Sequence, residues 1–262
     1  MITNIESNSN TVFKNTKKLL TASERRKTGK FMVEGYRIVA DAVRHKADID
    51  YIMVSAGYNQ ETYDDMYKVY RVSDRLFEDI SSTVNSQGII AVVNAPRTDA
   101  ETLFDEGCRY VVYLDSVMDP GNMGTILRTC DAMGVDAVVA SKGCVDIYNP
   151  KVVRSTMASI FNVPVLFERD EAVLPLLASQ GYNIVGTFPD EAVPVYECDL
   201  TGKTVVVMGN EANGICDDVR DMCTSRVTVP MLGGAESLNV AICCGMILYE
   251  QLRQRKNLKG DI

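Results

Sequence analysis

A chain of 262 residues, 46% of them hydrophobic, is long enough for one large globular domain or two modest ones, and none of its apolar runs approaches the roughly 20 residues of a transmembrane helix. Its net charge of −8 argues against a protein coated in nucleic acid, and its single histidine, His45, leaves histidine acid–base chemistry almost nothing to work with. The eight cysteines (Cys108, Cys130, Cys144, Cys198, Cys216, Cys223, Cys243 and Cys244) show no CxxC and no Cys/His pairing, so they read as small core residues of a reduced, cytosolic protein and not as metal ligands. The opening MITNIESNSN lacks the charged and apolar regions of a signal peptide.

Charge is unevenly spread. Residues 1–46 hold ten Lys/Arg against four acids (Glu6, Glu24, Glu34, Asp41), a surplus of six that leaves −14 for the remainder. A basic N-terminal face on an acidic body suits local phosphate contacts, and equally an ordinary solvated face. In chain order, residues 1–12 are polar and expected to fray, 15–27 to form a helix, 31–35 a strand and 36–44 a helix with Ile38, Val39, Ala42 and Val43 on one face. Strands are expected at 49–54, 69–72 and 88–93, with helices at 61–67 and at 74–81, the latter capped by Asp74. This is a small α/β domain, 1–95, followed by a polar linker, 96–107.

The second domain, 108–262, opens on the wholly apolar strand 110–114, as befits a central parallel strand covered on both faces. Further strands are expected at 137–140, 163–167, 183–187, 204–208 and 226–229, with helices at 125–133, 151–159, 171–179 and 217–223, giving a parallel sheet of five or six strands. From Val240 to Tyr249 no side chain is charged or an amide, so this last helix must be covered on several sides.

Three loops follow predicted strands, at the carboxyl ends where open α/β sheets bind ligands. The first, Asp119 to Thr129, is rich in glycine and holds Asn122 and Arg128; with a helix starting near Gly124, Arg128 lies one turn in. The second, Gly209-Asn210-Glu211-Ala212-Asn213-Gly214, is neither a dinucleotide fingerprint nor a phosphate loop, and Glu211 could anchor an arginine or structure the loop. In the third, Ser237 is well placed to cap the apolar helix, while Asn239 could cap or present its amide to a ligand.

The ordered set Asp119-Pro120-x-Asn122-x-Gly124-x-x-x-Arg128, Gly209-Asn210-Glu211-x-x-Gly214 and Val229-Pro230-Met231 to Ser237-Leu238-Asn239-Val240 resembles the three motifs of the SpoU family of RNA ribose 2′-O-methyltransferases, within the SPOUT superfamily. The resemblance spans about residues 108–254. The N-terminal part, including Phe31-x-Val33-Glu34-Gly35, resembles more loosely the ribosomal-protein-like substrate-binding domain of many members. It implies an α/β fold with a deep C-terminal trefoil knot, S-adenosylmethionine as cofactor without a metal, and a cytoplasmic homodimer whose site draws on both chains. By carry-over, Thr187, Gly209, Val229 and Leu238 line the cofactor pocket, and Asn122, Arg128, Glu211, Ser237 and Asn239 form the polar catalytic cluster. The resemblance also implies Arg128 as base or base-assisting group for the ribose hydroxyl.

Two departures stand out: Ala212 where glycine is common, and Met157 in a stretch that usually carries glycine, where a bulkier residue is expected to narrow the RNA entrance. Ribosomal RNA is the expected substrate. Transfer RNA, methylation of a base, a non-catalytic RNA-binding homologue and a nucleotide-dependent oxidoreductase are the alternatives.

Overall fold

The computed structural model describes residues 2–96, 99–104, 107–167 and 172–259. Its contacts divide the chain into two units, Met1–Arg97 with Asp146–Asn162, and Thr98–Val145 with Val163–Ile262.

The first unit runs β1 (Ile2–Ile5), α1 (Thr11–Lys18), α2 (Ala22–Thr28), β2 (Lys30–Glu34), α3 (Tyr36–Arg44), β3 (Ile49–Ser55), β4 (Val69–Val72), α4 (Asp74–Glu78) and β5 (Ile89–Asn94). The sheet order is β1-β4-β3-β5-β2. The first three strands are mutually parallel, and β5 is antiparallel to both β3 and β2. One face packs around Phe13, Met32, Met53 and Phe77 and the other around Phe31, Val39, Ile52 and Ile89.

Several local expectations are corrected here. Residues 2–5 do not fray, because Ile5 is buried and β1 pairs with β4 along its whole length. The single helix expected at 15–27 is two. Thr21 closes α1 by donating to the Lys18 carbonyl, and it opens α2 by accepting from the Glu24 amide. That Thr-x-x-Glu spacing is a capping-box signature. Residues 61–67 are turn and irregular, with Tyr63 at φ 58° and Thr62 bonded to Asp64 instead of to a helix. The cap of α4 is Ser73, not Asp74, whose carboxylate instead accepts from the Gly57 amide.

The returning segment, Asp146–Asn162, carries a helix (Pro150–Ser155, α7 in chain order) and a 3-10 turn, Ser159–Phe161. It contributes Val153 and Ile160 to the first unit's core, and Tyr148 stacks on Phe31 with ring centroids 4.4 Å apart. Arg25 is buried and donates to Asp146 through Nε and Nη2 at 2.8 and 2.7 Å. The expected helix of 151–159 stops early because Met157 and Ala158 both take positive φ, 50° and 76°. Glycine occupies such backbone freely, whereas a side chain there is strained.

Glu34, the acid of the Phe-x-Val-Glu-Gly stretch, pins the loop before β5. Its carboxylate accepts from the hydroxyls of Ser81, Ser82, Thr83 and Ser86 and from the Ser82 amide at 2.5–2.9 Å. Arg154 joins from α7 by donating to Ser82 Oγ. Burial pushes this carboxyl's pKa up, but the hydroxyl and amide donors outweigh it and hold it below the ordinary glutamate value.

The second unit runs α5 (Ala100–Leu103), β6 (Tyr110–Leu114), α6 (Pro120–Met133), β7 (Ala137–Ala140), β8 (Val165–Phe167), α8 (Val173–Ser179), β9 (Asn183–Thr187), β10 (Val193–Pro194), β11 (Thr204–Met208), α9 (Asp217–Asp221), β12 (Ser225–Thr228) and α10 (Val240–Lys259). All seven strands are parallel, in the order β10-β12-β9-β11-β6-β7-β8. The strand beyond the expected six is β10, two residues at an edge ending in Pro194, too short to show a period. Part of the expected linker folds as α5, with Phe104 buried in this unit's core. The expected start of α8 at Glu171 lies outside the described residues.

The last helix, α10, packs against α6. Val240, Ala241, Cys244, Ile247 and Leu248 are buried, whereas Ile242, Met246 and Tyr249 are 51%, 45% and 61% exposed. Within one chain the apolar helix is therefore covered on one side only. All eight cysteines are free thiols.

Candidate active site

Three neighbouring strands, β12, β9 and β11, end at Thr228, Thr187 and Met208. Beyond these carboxyl ends lies a cavity of about 410 Å³, within the roughly 300–1,000 Å³ typical of small-molecule pockets. Thr187, Gly209, Val229 and Leu238 all line it, together with Phe188 and Cys243. Apolar residues such as Met208, Val227 and Val240 and the polar Asn210, Glu211, Ser237 and Asn239 share its lining. The Thr187 hydroxyl is already spent on the Val207 carbonyl at 3.0 Å.

Gly209 cannot be anything else. A Cβ there would sit 2.4 Å from the carbonyl carbon of Gly214, because Asn210 and Gly214 close a tight antiparallel bridge with amide–carbonyl bonds of 2.9 and 3.0 Å. Asn210 fills that turn, accepting from the Ala212 and Asn213 amides, and its Nδ2 donates to the Ser116 carbonyl at 2.8 Å. Asp115, buried at the end of β6, accepts from the Cys216 amide at 2.7 Å. The second loop and the residues just after it are thereby stapled at two points to the end of β6.

A third staple leads into the candidate chemistry. Glu211 accepts from Asn122 Nδ2 at 2.9 Å and from the Asp119 and Met118 amides at 3.2 and 3.4 Å. Asn122 Oδ1 accepts from Asn239 Nδ2 at 2.9 Å. Asn239 Oδ1 accepts from the Ala241 and Ile242 amides at 3.0 and 3.2 Å. The polarity of this chain follows from its ends: an ionised carboxylate only accepts and helix N–H groups only donate, so each amide has one allowed orientation. Partial burial raises the Glu211 pKa, but the Asn122 donor and the backbone amides bring it below the ordinary glutamate value. Three loops distant in sequence thus share one hydrogen-bonded line.

Asn239, not Ser237, caps α10: its side chain takes two helix amides and its carbonyl accepts from the Cys243 amide. Ser237 is exposed and lines the cavity. The first motif's helix starts at Pro120, not at Thr125. Asp119 caps it by accepting from the Asn122 amide at 2.8 Å, with proline at the first helical position. Arg128 is consequently more than two turns in, roughly 12 Å along the axis at about 1.5 Å per residue, and not one turn as expected. It is exposed and makes no hydrogen bond or ion pair among the described residues. Of the expected cluster, then, Asn122, Glu211 and Asn239 are joined, Ser237 borders the cavity, and Arg128 stands apart. Asn210 and Asp119 were missed as positioning residues, although Asp-Pro before a helix and Asn inside a glycine-framed turn signal both roles.

Among the described residues no group of three or more His, Cys, Asp or Glu side chains is arranged to hold a metal ion. No described helix is long and apolar enough to cross a membrane.

Residues 109–249 match the SpoU rRNA Methylase family, and residues 10–91 match the MRM3-like substrate binding domain. The chain is 32% identical to the 23S rRNA (guanosine(2553)-2′-O)-methyltransferase RlmP of Bacillus subtilis (strain 168), over 94% of this chain and 97% of that protein. It is 28% identical to the 23S rRNA (uridine(2479)-2′-O)-methyltransferase of Streptomyces viridochromogenes, over 89% of this chain and 86% of the other. Its fold is similar to that of an AdoMet-bound rRNA methyltransferase from Sinorhizobium meliloti, with a TM-score of 0.86 at 27% identity over 96% of this chain and 98% of that one. The SpoU methyltransferase AviRb from Streptomyces viridochromogenes, in complex with AdoMet, gives a TM-score of 0.85 at 27% identity over 94% and 98% of the two chains.

Proposed function

The chain belongs to the SpoU rRNA methylase family, and from that premise we propose that it transfers a methyl group from S-adenosylmethionine to a ribose 2′-hydroxyl of ribosomal RNA in the cytoplasm. The observation that carries this reading is the cavity at the ends of β9, β11 and β12, bordered by the hydrogen-bonded line from Glu211 through Asn122 to Asn239. Its lining fits the cofactor: Gly209 leaves room for close approach, and the apolar side chains of Val229 and Leu238, with Thr187 beside them, suit a flat adenosyl group. When bound, S-adenosylmethionine supplies an electrophilic methyl group on a sulfonium, and no metal is required.

The protein's part is to position and to move a proton. A ribose hydroxyl is a poor nucleophile and must lose its proton in the transition state, and holding it in line with the methyl group supplies much of the rate. Ser237, Asn239 and Asn122 hold the ribose in register. Glu211 fixes the direction of the two asparagines and so of the whole line. Arg128 serves as base or base-assisting group, together with the RNA phosphate; its high intrinsic pKa makes a shared role the chemically reasonable one.

The active form is a homodimer. Ile242, Met246 and Tyr249 form an exposed apolar stripe on α10 at helical spacing, an unfinished surface that a second copy would complete. The lack of a partner for Arg128 among the described residues of its own chain fits a site that draws on both copies. The segment after β12 forms the trefoil knot of the superfamily, a reading supported by the length over which the chain follows the SpoU structures.

The test is methyl transfer from tritium-labelled S-adenosylmethionine to ribosomal RNA, followed by nuclease digestion. Label in nuclease-resistant dinucleotides is expected, because a 2′-O-methyl group blocks cleavage that needs a free hydroxyl. A protein that binds the cofactor yet labels no RNA, or that labels bases, would overturn the proposal.

A further inference from the structure

The first unit carries a second cavity, a groove of about 610 Å³ beside α1, lined by Lys14, Lys17 and Lys18 and by the apolar Phe13 and Leu20. We propose that this groove is a docking site for the phosphodiester backbone of the substrate RNA. The inference rests on the RNA-methylating reading and deepens it by naming the surface that takes the substrate.

The fold of α1 does not depend on these lysines. Asn10 caps the helix by accepting from the Val12 and Phe13 amides, and Thr16 faces inward to the Val12 carbonyl and the Tyr51 hydroxyl. Spacing of i, i+3 and i+4 puts the three ammonium groups on one stripe. All three residues are exposed. Lys17 and Lys18 lie in the last turn, where a cation complements the helix dipole, but Lys14 lies near the first turn, where it opposes it. Helix stability therefore does not account for the set.

Three other cations of the N-terminal stretch are already neutralised, and Arg26, Lys27, Arg37 and Lys46, which have no ion pair among the described residues, do not line this groove. Arg25 is paired with Asp146 at 2.7 Å, Lys30 with Asp50 at 2.6 Å and Arg44 with Asp41 at 2.7 Å. Of the three groove lysines only Lys17 has an ion pair among the described residues, to Asp79 at 3.5 Å with both side chains about half exposed (51% and 49%), the kind of contact that contributes little. Three nearly unneutralised lysines around one groove, on a chain of net charge −8, make a local site for a polyanion. The apolar lining at Phe13 and Leu20 suits the sugars between the phosphates that the ammonium groups would hold.

The experiment measures RNA affinity against salt concentration, using a ribosomal RNA transcript and the full chain. The Lys14→Gln/Lys17→Gln/Lys18→Gln variant should bind about tenfold more weakly at low salt, and its log–log salt slope should shrink by about one per lysine. The KM for RNA should rise, with kcat and S-adenosylmethionine affinity unchanged. A matched pair, Lys14→Gln/Lys17→Gln against Arg37→Gln/Lys46→Gln, removes two exposed charges from each of two places, and the first should lose clearly more. An unchanged affinity and slope in the triple variant, or equal losses in the matched pair, would overturn the groove. A wild-type protein that binds RNA but transfers no methyl group would instead overturn the functional reading, while the salt slopes would still decide the groove.

Discussion

Glu34 and Glu211 use one device to two ends. Each is a carboxylate held below its ordinary pKa by several donors that outweigh its burial, and each fixes a loop. Around Glu34 the donors are hydroxyls and an amide of residues 81–86, and the network closes on itself within the first unit. Around Glu211 one donor is an asparagine whose other end reaches a second asparagine at the cavity edge. The closed network holds shape; the open one transmits direction. Glu211 should therefore matter more to rate than to stability, and Glu34 the reverse.

The most severe way to test what the open network serves is Arg128→Ala. Methyl transfer should fall by roughly 10²–10⁴-fold, the usual contribution of a positioned proton-transfer group, while S-adenosylmethionine affinity by calorimetry stays unchanged. Normal turnover would remove Arg128 from the chemistry. Next comes Glu211→Gln, which keeps the shape but can present a donor to Asn122 and so reverse the line of amides. The initial rate should drop by at least about tenfold, at a stability cost near 1 kcal/mol. A large loss of stability with normal turnover per folded molecule would erase the contrast with Glu34.

For Glu34→Ala the expectation inverts. Chemical denaturation should show a loss of about 2–3 kcal/mol, since several half-buried donors lose their acceptor, with cofactor affinity retained. The same residue gives a pH signature. Its folded pKa lies below the unfolded value of about 4.3, so its stabilisation is present above that value and lost as pH falls through the folded pKa. Melting curves of wild type should therefore converge on those of Glu34→Gln as pH falls through the folded pKa of Glu34; a constant gap would show that the carboxylate's charge is not what holds the loop. The smallest effect is expected from Met157→Gly, which should stabilise by roughly 0.5 kcal/mol by relieving a positive φ. A loss of stability would mean that the exposed Met157 side chain makes a contact worth more than the strain.

Much of the second unit was legible because its central strands are buried on both faces: the unbroken apolar runs 110–114 and 137–140, and the nearly apolar 204–208, begin and end where expected. Gly209, Val229 and Leu238 were legible only through the family motifs, and Thr187 only through its place at the end of a strand, since composition does not display the shape of a cavity. What sequence alone obscured were choices between neighbouring polar residues. Ser237 and Asn239 are both good caps, and Asn239 is the one whose carbonyl starts the helix. The returning segment was hidden for another reason: Val153 and Ile160 look like core residues of whichever unit surrounds them, and only tertiary contact assigns them to the first.

The most direct measurement is a map of 2′-O-methylated nucleotides in ribosomal and transfer RNA from a strain lacking the gene, set against its parent. The account predicts a ribosomal RNA ribose methylated in the parent, unmodified in the mutant, and restored by the wild-type gene but not by the Arg128→Ala variant. Identical ribosomal RNA maps, or a missing methyl group found only in transfer RNA or on a base, would contradict it.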